Sequence, residues 1–221
     1  MLIAGLAMAA CGTSGSERAV ASGTTAGTTT SVTSAPPPCP TSTAAAISCP
    51  MGYCNSVGLG GQALAYSGDA QPLSSCASTA TLHADALCID GTVTPLLPML
   101  MVSLYDTCWG CGIGVNLDQA PGATSPAMAY TLQGTGVTVT TSGVPCCTSA
   151  RVILDEGGVD YCAALTDGME IPWATFNTEC WYPPSGVALA APPTSHTVRV
   201  ELVPSESACP FSNFCITSIH L

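Results

Sequence analysis

The sequence predicts an all-β sandwich of the jelly-roll kind, and three observations carry that prediction. The first is the run Trp109–Asp118. In it Trp109, Cys111, Ile113, Val115 and Leu117 share one parity, while Gly110, Gly112, Gly114, Asn116 and Asp118 share the other. Successive side chains of a strand point to opposite faces, so this run reads as a central strand with one apolar face. The second is a series of short apolar or alternating runs separated by Gly, Pro, Ser and Asn clusters, the mark of a sandwich or barrel. Roughly eight strands over about 170 residues suit a jelly roll. The third is composition. Only 8% of residues are charged and 47% are hydrophobic, and no stretch keeps a helical period. Small hydroxylated residues favour sheets and turns over helices.

Taken in order, the chain begins with MLIAGLAMAA, an apolar stretch ending in small residues before Cys11. Residues 1–11 resemble the end of a bacterial lipoprotein signal, in which the cysteine becomes the lipidated N-terminus. Two departures stand against the pattern: Met8 occupies the position where leucine is usual, and no Lys or Arg precedes the apolar run. An ordinary secretory signal is the alternative. Residues 12–50 form a Ser/Thr/Gly/Ala/Pro tract with almost no large apolar side chains. Such a tract buries too little surface to offset chain entropy and is expected to be a disordered tether, with Pro36-Pro37-Pro38 as a stiff piece.

The folded domain is expected over 51–221. Its strands are Gln62–Ser67, Cys88–Val93, Trp109–Asp118, Gly136–Thr141, Ala150–Asp155, Thr197–Leu202 and Phe214–Leu221. In Thr197–Leu202 the residues Val198, Val200 and Leu202 are expected inward, with Arg199 and Glu201 outward. The apolar stretch Pro95–Val102 is too short and too proline-broken to span a membrane.

Fourteen cysteines are spread along the whole chain. Structural metal sites gather their ligands in compact pairs, so a spread pattern beside only three histidines predicts disulfides and an oxidising compartment. Cys146 and Cys147 are adjacent, so their side chains diverge and are expected to find different partners. Cys108-x-x-Cys111 has redox spacing, but a strand rather than a helix follows it. If Cys11 is lipidated, fourteen less one leaves thirteen, and one thiol stays free or pairs between chains; Cys39 is the candidate.

Charge excludes one partner class. Three Arg and Lys against fourteen acidic residues give a formal net charge of −11. Nucleic acid is bound through basic contacts to phosphate, so no nucleic-acid partner is expected. Catalysis is not expected either. His83, His196 and His220 are scattered without ligand spacing, Asp155-Glu156 are adjacent on a turn, and no G-x-S-x-G elbow is present.

Several segments together resemble galactose-binding-like jelly rolls, which include carbohydrate-binding modules of secreted bacterial proteins. They are Trp109–Asp118, Gln133–Val139, Arg151–Asp155, Ile171–Trp181, Val198–Leu202 and Phe214–Ile219, in the family's order over roughly residues 60–221. The resemblance implies a non-catalytic binding module with carbohydrate as its partner, and no cofactor. Many members hold a structural calcium through an aspartate near the last strand. Cys215–Ser218 supply no carboxylate there, so disulfides stand in as the expected staple. The alternative is a structural or adhesion domain of the cell surface without a small ligand; a hydrolase is the third reading.

The glycine parity of Trp109–Asp118 admits two readings, packing by a neighbouring segment or the floor of a groove. On the second, the ligand-binding residues are Asn116 and Asp118 at the groove's end, with Trp181 and Tyr182 as an exposed aromatic pair held out of the sheets by Pro183-Pro184. Trp109 and Trp173 are expected in the core. Thiol titration of the denatured, unreduced protein is expected to find at most about two thiols, and about ten would exclude the disulfide framework.

Overall fold

Apolar side chains at alternate positions require each sheet to bury one face, and two sheets here do so against each other. The structure, a computed structural model, describes residues 44–55, 60–67, 78–95, 110–122, 125–179, 186–204 and 207–221, all within one compact unit, Pro38–Leu221. Cys11, Cys39, Trp109, Trp181 and Tyr182 lie outside the described residues, as does most of the expected tether.

The strands are β1 (Tyr53–Cys54), β2 (Gly61–Ser67), β3 (Thr79–Leu82), β4 (Cys88–Val93), β5 (Cys111–Asn116), β6 (Tyr130–Thr131), β7 (Gly136–Ser142), β8 (Ala150–Glu156), β9 (Val159–Ala164), β10 (Glu170–Pro172), β11 (Thr194–Ser195), β12 (Thr197–Leu202) and β13 (Cys209–His220). One sheet runs β1-β2-β5-β12-β8-β9 and the other β10-β7-β13-β4-β3, with β6 and β11 as a separate pair. Every pairing is antiparallel. The protein is therefore all-β and sandwich-like, as the alternation predicted.

The core lies between the two sheets. From the six-stranded sheet come Ile113, Val115, Val152, Leu154, Val198 and Val200. From the five-stranded sheet come Ile89, Val93, Val137, Val139, Phe214 and Ile216, and all belong to one apolar cluster. The predicted parity of β5 holds: Cys111, Ile113, Val115 and Leu117 join the core cluster, while Gly112 and Gly114 face Tyr66 and Arg199. Trp173 is also in the core, and its indole nitrogen donates to the Gly134 carbonyl at 2.9 Å.

Three features depart from the sequence reading. The fold begins earlier than residue 51. Ile47 is buried, its amide donates to Ile216 O at 3.0 Å, and its carbonyl accepts from Leu87 N at 2.9 Å. One isoleucine and one cysteine after a polar tract suffice to join that segment to the core. Glu201 shares the outward parity of Arg199, but it is buried rather than solvated. Strand β9 was not expected. It is joined to β8 by Gly157-Gly158 alone, with Glu156 opposite Val159. Both glycines have positive φ, 61° and 84°, as the two-residue turn that matches strand twist requires.

Disulfides close one short loop and two long ones. Cys49 pairs with Cys54, Cys88 with Cys215, and Cys147 with Cys209. Cys146 is also disulfide-bonded, so the adjacent pair does diverge to different partners. Cys88 and Cys215 sit directly opposite on β4 and β13 and close a separation of 127 residues. In the chain-entropy picture that closure is worth up to about 5 kcal/mol. Replacing both cysteines by serine is expected to lower unfolding free energy by about 3–5 kcal/mol in non-reducing urea titrations. A loss below about 1 kcal/mol would mean that β4 and β13 need no covalent tie.

Candidate functional site

The outward face of the six-stranded sheet carries a dense set of polar contacts, among them three of the four described ion pairs. Strand registers order it in rows. Leu64, Gly114, Arg199, Ile153 and Cys162 lie in one row from β2 to β9, and Tyr66, Gly112, Glu201, Arg151 and Ala164 lie in the next. Both described arginines are on this face.

The glycines of β5 are seats for their neighbours. A Cβ on Gly112 would stand 2.6 Å from the Tyr66 hydroxyl, and one on Gly114 would stand 2.7 Å from Arg199 Cγ. Tyr66 and Arg199 therefore lie down over the strand, with the guanidinium 5.6 Å from the ring centroid, within cation–π range. The packing reading of the glycine face describes β5 at these two positions, and the side chains come from the flanking strands.

Below them Arg151 and Glu201 face each other in register across β8 and β12. Arg151 Nε donates to Glu201 Oε1 at 3.0 Å and Nη2 donates to the same oxygen. Their side chains are only 5% and 2% exposed. Burial pushes the Glu201 carboxyl above its ordinary range against the pull of Arg151. Burial, followed by the Glu201 charge, pushes the Tyr66 hydroxyl well above its own, although no hydrogen bond of good geometry reaches that hydroxyl. This end of the face is closed.

The opposite end is a polar rim. Arg199 Nη2 donates to Asp160 on β9, with side-chain exposures of 19% and 48%. Asp155, at the end of β8, gathers the start of β12. Its Oδ1 accepts from the Ser195 hydroxyl at 2.9 Å, from the amides of His196 and Thr197 at 2.9 Å each, and from the Thr197 hydroxyl at 3.1 Å. Its Oδ2 lies 2.8 Å from His196 Nδ1, and the His196 side chain is 45% exposed. Burial acts to raise the Asp155 carboxyl, but the hydrogen bonds from His196, Ser195 and Thr197 outweigh it and hold the group below its ordinary range.

Two sequence-predicted residues reach this rim. Asn116 is opposite Thr197, and Leu117 N donates to His196 O at 2.7 Å, which brings Asp118 to the same sheet end. Asn116 Nδ2 donates to Gln119 Oε1 at 3.0 Å, so part of its hydrogen-bonding capacity serves the turn. Asp118 is exposed, with φ 43°. Trp181 and Tyr182 fall in the segment 180–185, outside the described residues. The chain enters that segment from Asn177–Glu179, where Asn177 pairs antiparallel with Cys162 of β9 and, on its other side, with Ala188.

Sequence reasoning missed Tyr66, Arg199 and Asp160 as site residues. The one available signal was scarcity, for Arg199 alone: a chain with three basic residues placed it at outward parity on a strand. Comparison with family models, with curated proteins and with solved structures returns no match. Fold and site together define a class, a disulfide-stapled all-β sandwich with a polar rim on one sheet face.

Because the folded-state pKa of Asp155 is depressed, its stabilisation is present above the unfolded value of about 4 and is lost as pH falls through the lower folded value. Asp155→Asn is expected to cost about 2 kcal/mol at pH 7, as loss of hydrogen bonds to a charged group does. It should also flatten the stability profile below about pH 4 in denaturant titrations run at successive pH values. An unchanged acid limb would remove Asp155 from that role.

Proposed function

We propose that this chain is an extracytoplasmic, non-catalytic binding module for carbohydrate, built on a jelly-roll sandwich of galactose-binding-like type and carried at the membrane by a lipid on Cys11. One observation supports it above the others. Asn116 and Asp118, picked from sequence as hydroxyl-orienting residues, come to the same sheet end as Arg199, Asp160 and His196. Sugar hydroxyls each donate and accept, and a rim that alternates carboxylate, guanidinium, amide and imidazole meets both needs. The described disulfides agree with an oxidising, extracytoplasmic compartment. No cofactor enters this reading.

The second reading, a structural or adhesion domain without a small ligand, has its own observation. The deepest polar pair of this face, Arg151–Glu201, is closed to solvent and serves the fold alone. A glycan array separates the two. Selective retention of the full chain supports the module, whereas silence on glycans together with self-association supports the adhesion domain. In the module, Trp181→Ala abolishes retention with the melting temperature nearly unchanged, while Trp109→Ala lowers stability by about 3–5 kcal/mol, as deletion of a core aromatic does. Unfolding by Trp181→Ala would withdraw that aromatic from the site.

A further inference from the structure

We infer that the ligand of this rim is an uncharged polyhydroxyl chain and that the same chain bearing carboxylates is refused. The inference rests on the carbohydrate reading above and adds the charge class of the sugar.

The argument starts from where the positive charge is. The chain has three basic residues, of which Arg151 and Arg199 are the two in the described fold. Arg151 faces Glu201 and has 5% exposure, so among the described residues Arg199 is the arginine that a ligand at the rim can meet. Arg199 is already matched, because Asp160 holds its Nη2. Around this pair the rim carries further carboxylates. Asp155 ends β8 with Glu156 beside it, and Asp118 follows β5 at the same sheet end. His196 shares its Nδ1 with Asp155.

An acidic sugar entering here meets like charge on several sides. At the guanidinium its carboxylate meets a charge that Asp160 already neutralises, and Asp160, held on β9, stays beside it as a like charge. The chain's formal charge of −11 adds a repulsive field at longer range. A neutral sugar meets none of this. Vicinal hydroxyls can donate to the open Asp160 oxygen while accepting from the guanidinium edge, without breaking the ion pair. Neutral binding also leaves no charge to screen, so salt should matter little.

The test is a matched comparison on the full chain. Each neutral oligosaccharide retained on the array is titrated calorimetrically beside the same oligosaccharide oxidised at C6 to the uronate. Affinity is expected to fall about tenfold or more on oxidation, and that of the neutral form to change less than about twofold between 50 and 500 mM NaCl. Asp160→Asn, at an exposed position, should keep its melting temperature and regain oxidised-ligand binding to within about threefold of neutral. Equal or tighter binding of the uronate by the unaltered protein, with steep salt dependence, overturns the inference and leaves the carbohydrate reading standing. Retention of no glycan at all overturns both.

Discussion

The ion pair Arg151–Glu201 is the constraint on which the outward face of the large sheet depends. Two charges with exposures of 5% and 2% have lost nearly all hydration, a cost that only close, well-oriented pairing offsets. Their pairing fixes β8 against β12, because the two residues face each other only in one register. A slip of β12 by one residue would turn Glu201 into the apolar core and Val198 and Val200 outside. The pair thus specifies alignment, and removal of one partner alone is a larger loss than replacement of both by apolar side chains.

That pairing explains the neighbouring strand. Glu201 is opposite Gly112 on β5, and Arg199 is opposite Gly114. Side chains at these positions would stand in the space that Tyr66 and the Arg199 stem fill. Glycine weakens a strand by backbone entropy, yet here it admits a tyrosine and the stem of an arginine, whose packing over the strand offsets that loss. The apolar contacts between sheets are non-directional and would tolerate rearrangement. The polar outward face narrows the alternatives because each of its groups has few acceptable partners.

Much of this architecture was legible in the sequence because alternation has a period of two and nothing else in a polypeptide does. β5 and β12 were readable residue by residue. The burial of Glu201 was not. Outward parity says only which face a side chain takes, and whether that face is wet depends on chain segments remote in sequence. The sequence showed a turn at Asp155-Glu156 but not the hairpin, since β9 behind Gly157-Gly158 begins Val159-Asp160-Tyr161 and lacks a clear alternation. Ile47 was hidden in a tract whose average composition argued for disorder, since composition averages over the single apolar residue that docks. For the site, the ends of strands could be placed, which is why Asn116 and Asp118 reach the rim. Arg199 and Asp160 meet across 39 residues of chain, and no local pattern encodes that meeting.

The rim and the closed end of the face are coupled through β12. Arg199 and Glu201 are two residues apart on the same face, one at the rim with Asp160 and one within the closed pair. Asp155 secures the start of that strand through its bonds to the backbone of residues 196 and 197, so β12 is held at both ends by carboxylates. A rim group carried on a strand fixed in this way loses little further freedom when it meets a ligand, and ordering cost is a main reason that exposed polar sites bind weakly. The position of Arg199 is set twice over, by Gly114 beneath it and by Asp160 beside it. A strand clamped at one end by hydrogen bonds and at the other by a dry ion pair is therefore a physical basis for a preorganised polar surface on a chain with so few charges to use.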